Sequence, residues 1–279
     1  STRWRAYAAM PGSAWRIALF HRVPPASKPA RHANVSSCCS WIMVTIIQPL
    51  QARLAIVEER IAAACARAGR PRESVTLVAV SKTHPADAVR EAAASGLRHF
   101  GENYLQESVE KITELASRDP VDGLVWHFIG PIQSNKTRPI AQHFQWVHTI
   151  DREKVASRLS AQRDVFLPPL QVCIEVNVSG EASKSGVIPA LLPALAEQVA
   201  VLPRLRLRGL MAIPEPTNDE ALARRRFAQL RELRDDLNTR GHDLDTLSMG
   251  MTADMEAAIA EGATLVRIGT AIFGERRHT

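Results

Sequence analysis

The chain has 279 residues, 46% of them hydrophobic and 23% charged, which is the composition of a globular protein with one large α/β domain or two small ones. Its net charge of +6 comes entirely from residues 1–42, which hold six basic residues and no acidic one, so the other 29 basic and 29 acidic residues cancel. We therefore expect no nucleic-acid partner, and no apolar run approaches the ~18 residues of a membrane span.

The first 42 residues differ from the rest of the chain. They show neither helical nor strand periodicity, they include the Pro-rich stretch VPPASKPA at 23–30, and well-patterned sequence begins only at Met43. An Arg-rich segment without acids is typical of a targeting peptide. We favour translated upstream sequence with Met43 as the natural start. In either case we predict a poorly ordered leader over 1–42 and a single domain over 43–279.

The cysteines of this domain are isolated from one another. Cys65 lies in a helical pattern, Cys173 lies in an apolar run, and neither has the neighbours of a CxxC or His-x-His motif. A metal site and a disulfide framework are therefore not expected. A reducing, cytoplasmic location fits this use of cysteine.

Along the domain, a helix is followed by alternating strand and helix patterns. Residues 49–70 repeat apolar positions every three or four residues, which predicts an amphipathic helix that ends near Gly69 and Pro71. Short runs rich in β-branched residues follow, and each of them predicts a strand. These runs are 75–80, 98–101, 125–129, 146–150, 171–178, 206–213, 245–249 and 264–268.

Helical patterns separate these strands. Thr83 is predicted to cap a helix that has Pro85 in its first turn. A long charged helix is predicted over about 219–240, and Thr252 precedes another helix that ends at Gly262.

Eight mostly apolar strands separated by helices predict a parallel sheet that is covered by helices. Eight strands also close a (β/α)8 barrel, and the domain has the usual size of that fold. An open doubly wound sheet is the alternative, but it needs a glycine-rich loop after its first strand to bind a dinucleotide. The sequence VSKTHP at 80–85 contains no glycine. We therefore predict a (β/α)8 TIM barrel with an extra N-terminal helix.

The strand ends carry candidate functional residues, because sites in such barrels lie at the carboxyl ends of the strands. The first strand leads directly into Lys82, although a charged lysine is costly to bury. The last two strands lead into Ser248 and into Gly269-Thr270, which supply hydroxyl and backbone groups suited to a single phosphate. A lysine opposite a phosphate site indicates a Schiff base with a phosphorylated aldehyde. Two chemistries fit: an aldolase that acts on a sugar phosphate, or a lysine that holds pyridoxal phosphate.

Seven motifs in this order give the chain a specific resemblance to a known family, over residue 43 to Arg276. It resembles the pyridoxal-phosphate homeostasis protein family, which shares its barrel with the N-terminal domain of alanine racemase. The motifs are VAVSKTHP, HFGENYLQE, WHFIGPIQSNK, IEVNVSGEASKSG, RGLMAI, LSMGMTADMEAAI and VRIGTAIFG.

The resemblance implies a set of cofactor-binding residues. Lys82 would form the internal aldimine with pyridoxal phosphate, and Arg267 would face the pyridine nitrogen. The phosphate would be held by Ser248, Gly269 and Thr270. The pocket would be lined by Asn103, His127 and Met211. Independently of the resemblance, we expect Met249 in the pocket wall. Two departures from the family pattern are Thr252, where serine is expected, and the leader, which has no counterpart.

The same residues predict a carrier rather than an enzyme. An arginine at the pyridine nitrogen cannot accept its proton, which makes the ring a poorer electron sink. In alanine racemases a tyrosine from an added C-terminal domain is the second base. The chain ends five residues after Gly274, so we expect neither that domain nor its dimer contacts, and we expect a monomer. The alternatives are a racemase of low activity and a cofactor-free aldolase. Apo forms of pyridoxal-phosphate enzymes are candidate acceptors.

Other charged residues have weaker signals. Lys136 and Lys184 lie in loops on the predicted open side of the barrel and are predicted to attract the anionic cofactor. The histidines His84, His99, His143 and His148 are interpreted as helix-surface or strand-end residues rather than as ligands.

Overall fold

The structure is a computed structural model that describes residues 49–117, 120–180 and 185–275. The predicted leader over 1–42 lies outside the described residues. Within the described part of the chain, no helix is both long enough and apolar enough to cross a membrane. Cys65 and Cys173 are buried free thiols.

Eight strands and the helices between them form the described fold. The strands are β1 Thr76–Val80, β2 His99–Glu102, β3 Val125–Phe128, β4 Trp146–Ile150, β5 Leu170–Glu175, β6 Leu205–Met211, β7 Thr246–Ser248 and β8 Leu265–Ile268. The helices are α1 Leu50–Arg67, α2 Ala86–Ala94, α3 Leu105–Ser117, α4 Thr137–His143, α5 Glu153–Gln162, α6 Leu192–Ala200, α7 Glu220–Thr239, α8 Met255–Ala260 and α9 Thr270–Phe273.

The strands form a closed parallel barrel in chain order, in which β8 pairs with β1. The register places Val78 of β1 beside Arg267 of β8, and Gly101 of β2 beside His127 of β3. All strands run in one direction, so their carboxyl ends lie at one end of the barrel. The predicted (β/α)8 barrel is confirmed.

The additional N-terminal helix, α1, packs beside α8 and α9 on the outside of the barrel. Its predicted apolar face is buried, including Leu54, Val57 and Ile61. Burial of such side chains contributes about 1.5–3 kcal/mol each before the entropy of ordering is subtracted. The helix is therefore held by packing against the barrel helices rather than by helix propensity alone.

One helix start differs from its prediction. Thr83 does not cap α2, because the residue that precedes the helix is Pro85 and its side chain makes no capping hydrogen bond. Thr83 instead has a left-handed backbone with φ of 66°, and its N–H donates to Glu107 Oε1 in α3. The loop after β1 is therefore shaped by a tertiary contact that no local capping rule describes.

Candidate functional site

A cavity of about 310 Å³ opens at the carboxyl ends of the strands. It brings together five of the predicted site residues, although they follow three different strands. These are Lys82 after β1, Asn103 after β2, and Arg267, Gly269 and Thr270 at β8. The other residues that line it are Val80, Ile129, Ile213, Met251, Thr252 and Ala253.

Four predicted site residues do not line this cavity. His127, Met211, Ser248 and Met249 are fully buried in the barrel. Ser248 lies beneath Arg267, where its hydroxyl contacts the guanidinium and a histidine ring. Ser248 is thus not part of the cavity lining, and its predicted contact with a phosphate stays a prediction.

Thr252 is the hydroxyl-bearing residue after β7 that lines the cavity. Thr252 lies beside Ala253 in the loop before α8, and the Met251 N–H in the same loop donates to Asp254 Oδ1 at 2.6 Å. The signal by which the sequence could have identified Thr252 is its position as a hydroxyl residue just before a predicted helix. Two threonines, Thr252 and Thr270, therefore line the cavity together with Gly269.

A buried ion pair between Glu102 and Lys111 contacts the residue that precedes Lys82. Ser81 Oγ donates to Glu102 Oε1 at 2.7 Å. Lys111 Nζ donates to Glu102 Oε1 at 2.6 Å and to the Ser81 carbonyl at 2.9 Å. Burial raises the pKa of Glu102, and the positive charge of Lys111 opposes that increase. The backbone before Lys82 is thus fixed to both β2 and α3.

The backbone after Lys82 is held by the same helix. Glu107 Oε1 accepts a hydrogen bond from the Thr83 N–H at 2.7 Å and another from Lys111 Nζ at 3.0 Å. A left-handed conformation at a threonine costs about 1–2 kcal/mol and persists only where surrounding contacts impose it. We infer that α3 imposes the conformation from which the half-buried Lys82 side chain starts.

Arg267 supplies a fixed positive charge in the cavity wall. It is only 4% exposed, and its Nη1 and Nη2 donate to Ser248 Oγ at 2.7 Å and to the Ala212 carbonyl at 3.0 Å. Burial lowers its pKa to about 10, while the charges of Asp254 and Glu175 oppose the decrease. The guanidinium therefore stays protonated at neutral pH.

Comparisons with known proteins show the family of this chain. Residues 53–277 match the family model for the alanine racemase N-terminal domain. The pyridoxal phosphate homeostasis protein of Pseudomonas aeruginosa is 66% identical over 223 residues, which cover 80% of this chain and 94% of that protein. This chain belongs to the pyridoxal phosphate homeostasis protein family.

Other members of the family show the same extent of similarity. The pyridoxal phosphate homeostasis protein of Vibrio cholerae is 55% identical over 233 residues, which cover 84% of this chain and 99% of that protein. PipY of Synechococcus elongatus, in its structure with PLP bound, is 38% identical with a TM-score of 0.71. That match covers 81% of this chain and 100% of PipY. The similarity thus extends over essentially the whole described barrel.

This chain has a second cavity, of about 530 Å³, beside the first. It lies between α4 and the beginning of α3. The two cavities share Asn103, and the second is lined mainly by apolar residues such as Leu105, Phe128 and Ile132. Lys136 lines this second cavity and not the one that contains Lys82. Lys184, its predicted partner in attracting the cofactor, lies outside the described residues.

A carboxyl at the end of β5 gives a pH-dependent prediction. Glu175 is 7% exposed, and burial, followed by the charge of Asp151, raises its pKa from 4.5 to about 7, although Arg267 opposes the increase. Folding therefore favours its neutral form. The stability that Glu175 contributes is complete below the unfolded pKa of 4.5 and is lost as the pH rises through about 7.

We expect the difference in unfolding free energy between Glu175→Gln and the wild type to shift in favour of the variant as the pH rises from about 4 to about 8. The shift should reach up to about 3 kcal/mol. Urea unfolding of both proteins at several pH values measures this difference. Glu110→Gln, at an exposed position of α3, is the control and should show no such trend. A stability difference that does not change with pH would contradict the raised pKa.

Proposed function

We propose that this chain binds pyridoxal phosphate covalently at Lys82 and acts as a carrier that holds the cofactor and hands it on, without substantial catalysis. The observation that supports this most directly is the cavity at the barrel mouth. It is lined by Lys82, Thr252, Thr270 and Arg267, which carry a primary amine, two hydroxyls and a guanidinium. Family membership and the pyridoxal phosphate in the PipY structure support the choice of ligand.

The residues of the cavity fit this group. Its volume of about 310 Å³ suits one small ligand. Asn103 Oδ1 is buried in the wall without a hydrogen-bond partner among the described residues, so a donor from a ligand would satisfy it. The hydroxyls of Thr252 and Thr270 can donate to phosphate oxygens. Gly269, between the end of β8 and Thr270, has no side chain that would obstruct a ligand.

Pyridoxal phosphate supplies an aldehyde, which condenses with a primary amine to form a C=N bond and release water. Lys82 Nζ is the amine that the cavity offers. Thr252 and Thr270 would hold the phosphate, and Arg267 would face the ring. Arg267 donates hydrogen bonds and cannot accept a proton, so it orients the ring without adding a base.

The carrier role is supported by the chemistry that the cavity wall lacks. Among the described residues that line the cavity, Lys82 and Arg267 are the only titratable ones. Racemisation requires a base on each face of the substrate, and Arg267 remains protonated at neutral pH. One amine and one permanent cation suit storage and release, in which an amine of an acceptor displaces Lys82. Apo forms of pyridoxal-phosphate enzymes are the acceptors that we propose.

Borohydride trapping tests covalent attachment. Borohydride reduces a C=N bond to a stable amine, so the intact mass of the loaded wild type should increase by one reduced cofactor. We expect Lys82→Ala to take up none, and Lys154→Ala, at an exposed lysine of α5, to behave as the wild type. A comparable adduct on Lys82→Ala, or its mapping to another lysine, would overturn the proposal.

The loaded protein distinguishes a carrier from a racemase. Incubation with an apo pyridoxal-phosphate enzyme should restore the activity of that enzyme while the carrier loses its visible absorption. Incubation with single enantiomers of several amino acids should yield little of the opposite enantiomer. Racemisation faster than ~1 s⁻¹, which is the lower range of ordinary enzymes, would contradict the carrier role.

A further inference from the structure

A row of hydrogen bonds connects Arg267 with the opposite end of the barrel. Arg267 Nη1 contacts Ser248 Oγ at 2.7 Å, and Ser248 Oγ contacts His148 Nδ1 at 2.7 Å. His148 Nε2 contacts His127 Nδ1 at 2.9 Å, and His127 Nε2 contacts His99 Nδ1 at 2.9 Å. We call these five residues the histidine relay. The described residues include no group of His, Cys, Asp or Glu placed to hold a metal ion.

The relay spans the barrel from end to end. Arg267 lines the cavity at the carboxyl ends of the strands. His99 is the first residue of β2 and therefore lies at the amino end of the barrel, where it is only partly buried. Between them, Ser248, His148 and His127 have no exposed surface.

Arg267 and the buried Ser248 hydroxyl together determine the direction of every hydrogen bond in the relay. A guanidinium has donors only, so the Ser248 oxygen accepts from Arg267. The Ser248 hydroxyl is fully buried, and His148 is its other partner among the described residues, so its O–H is satisfied only if it donates to His148 Nδ1. A neutral His148 then carries its proton on Nε2 and donates to His127 Nδ1. The same reasoning places the His127 proton on Nε2, from which it donates to His99 Nδ1.

Burial keeps these rings neutral, as this direction requires. Burial and then the charge of Arg267 lower the pKa of His148 to about 3. Burial, with its two histidine neighbours, lowers the pKa of His127 well below its ordinary value, and burial also lowers that of His99. A protonated His127 would present a donor to the Nε2–H of His148, so the relay tolerates only the neutral rings.

We propose that Ser248 and His148 are positioning residues for the cofactor site. The one-directional relay fixes the Nη1 edge of Arg267 and thereby the orientation of its guanidinium in the cavity wall. The relay itself is a property of the protein alone, whereas its effect on the ligand rests on the proposed function. The two parts can therefore be tested separately.

Nitrogen-15 NMR of the ligand-free protein tests the relay. We expect His148 and His127 to be neutral Nε2–H tautomers throughout about pH 6 to about pH 8, since the chemical shifts of the two ring nitrogens separate the tautomers. An Nδ1–H tautomer or an imidazolium at either residue would overturn the direction derived above. This measurement requires no pyridoxal phosphate, so it stands even if that ligand does not bind.

Two substitutions of His148 test the positioning. Glutamine can accept from Ser248 and donate to His127, and therefore preserves the direction, whereas leucine interrupts the relay. With pyridoxal phosphate as the probe, we expect His148→Leu to bind roughly 10-fold more weakly and His148→Gln to remain within roughly 3-fold of the wild type. The pH at which the visible band of the bound cofactor titrates should move in His148→Leu and be retained in His148→Gln.

Ser248→Ala provides a variant with a smaller change in volume, which keeps the test decisive if His148→Leu does not fold. It should reproduce the weaker binding and the moved titration, because it removes the acceptor of Arg267 Nη1 itself. Equal behaviour of the glutamine, leucine and alanine variants would overturn the positioning role. A wild type that binds no pyridoxal phosphate would contradict the proposed function and with it this role, while the NMR result would still decide the relay.

Discussion

Replacing Lys111 by methionine is expected to lower the free energy of unfolding by about 3–5 kcal/mol. The Lys111 side chain is 4% exposed and its ammonium is 2.6 Å from the fully buried Glu102 carboxylate. Removing one partner of a buried pair leaves the other charge without compensation, which is the costly case. Urea unfolding measures the loss, and Lys154→Met, at an exposed lysine, should change stability by less than about 0.5 kcal/mol.

Two further measurements test whether the unpaired charge of Glu102 causes the loss of stability in Lys111→Met. The double variant Lys111→Met, Glu102→Gln should recover more than half of the loss, because glutamine is neutral and can still accept from Ser81. The loss should also shrink at acid pH, where the Glu102 carboxyl takes up a proton. If the double variant is no more stable than Lys111→Met, lost packing rather than charge is responsible.

The same substitution has an expected consequence at the cavity. Lys111 Nζ donates to the Ser81 carbonyl, directly before Lys82. Loss of that contact frees the segment that presents the amine, so pyridoxal phosphate should label Lys82 more slowly in Lys111→Met than in Lys154→Met.

Replacing Gly250 by alanine is expected to destabilise the protein by about 3 kcal/mol and to weaken pyridoxal phosphate binding. Gly250 has φ of 92°, and an added Cβ would lie 2.6 Å from Ala258 Cβ and 3.4 Å from Met255 Cα in α8. Both the left-handed backbone and the contact with α8 oppose the substitution. Gly250 directly precedes Met251 and Thr252, so any shift of the backbone moves the cavity wall.

Gly262→Ala is the matched control for this prediction. Gly262 has φ of 98°, but the nearest atoms to an added Cβ are 3.8 Å away. It should therefore lose only the conformational part, about 1–2 kcal/mol, and leave ligand affinity unchanged. Differential scanning calorimetry and ligand titration of both variants provide the comparison. Equal losses in the two would show that the contact with α8 does not matter.

The architecture could be predicted because its signals are local. Each strand is a short apolar run and each helix a periodic pattern, and all eight predicted strands agree with the structure to within three residues. The rule that sites lie at the carboxyl ends of barrel strands then selected Lys82 and Gly269-Thr270, and the family resemblance added Arg267. These residues line the cavity because every strand leads to the same end of the barrel.

Residues of the site that depend on side-chain direction could not be assigned in this way. Ser248 and Thr252 both follow the same strand, yet Ser248 is the last residue of β7 and is buried within the barrel, while Thr252 reaches the cavity. Lys111 lies in a helical pattern in which a lysine ordinarily faces solvent. Only its contacts with β2 and the loop after β1 show it to be buried.

The pattern of residues along the chain was sufficient for the barrel, its extra helix and the position of Lys82 after β1, because period and strand order are properties of neighbours in sequence. The histidine relay and the contacts of Glu102, Glu107 and Lys111 with the residues on either side of Lys82 were decided only by tertiary structure. His99, His127 and His148 are separate strand residues until barrel closure brings β2, β3, β4, β7 and β8 around one axis. A hydrogen bond between residues 100 positions apart, such as that of His148 with Ser248, depends on that closure and on no local signal.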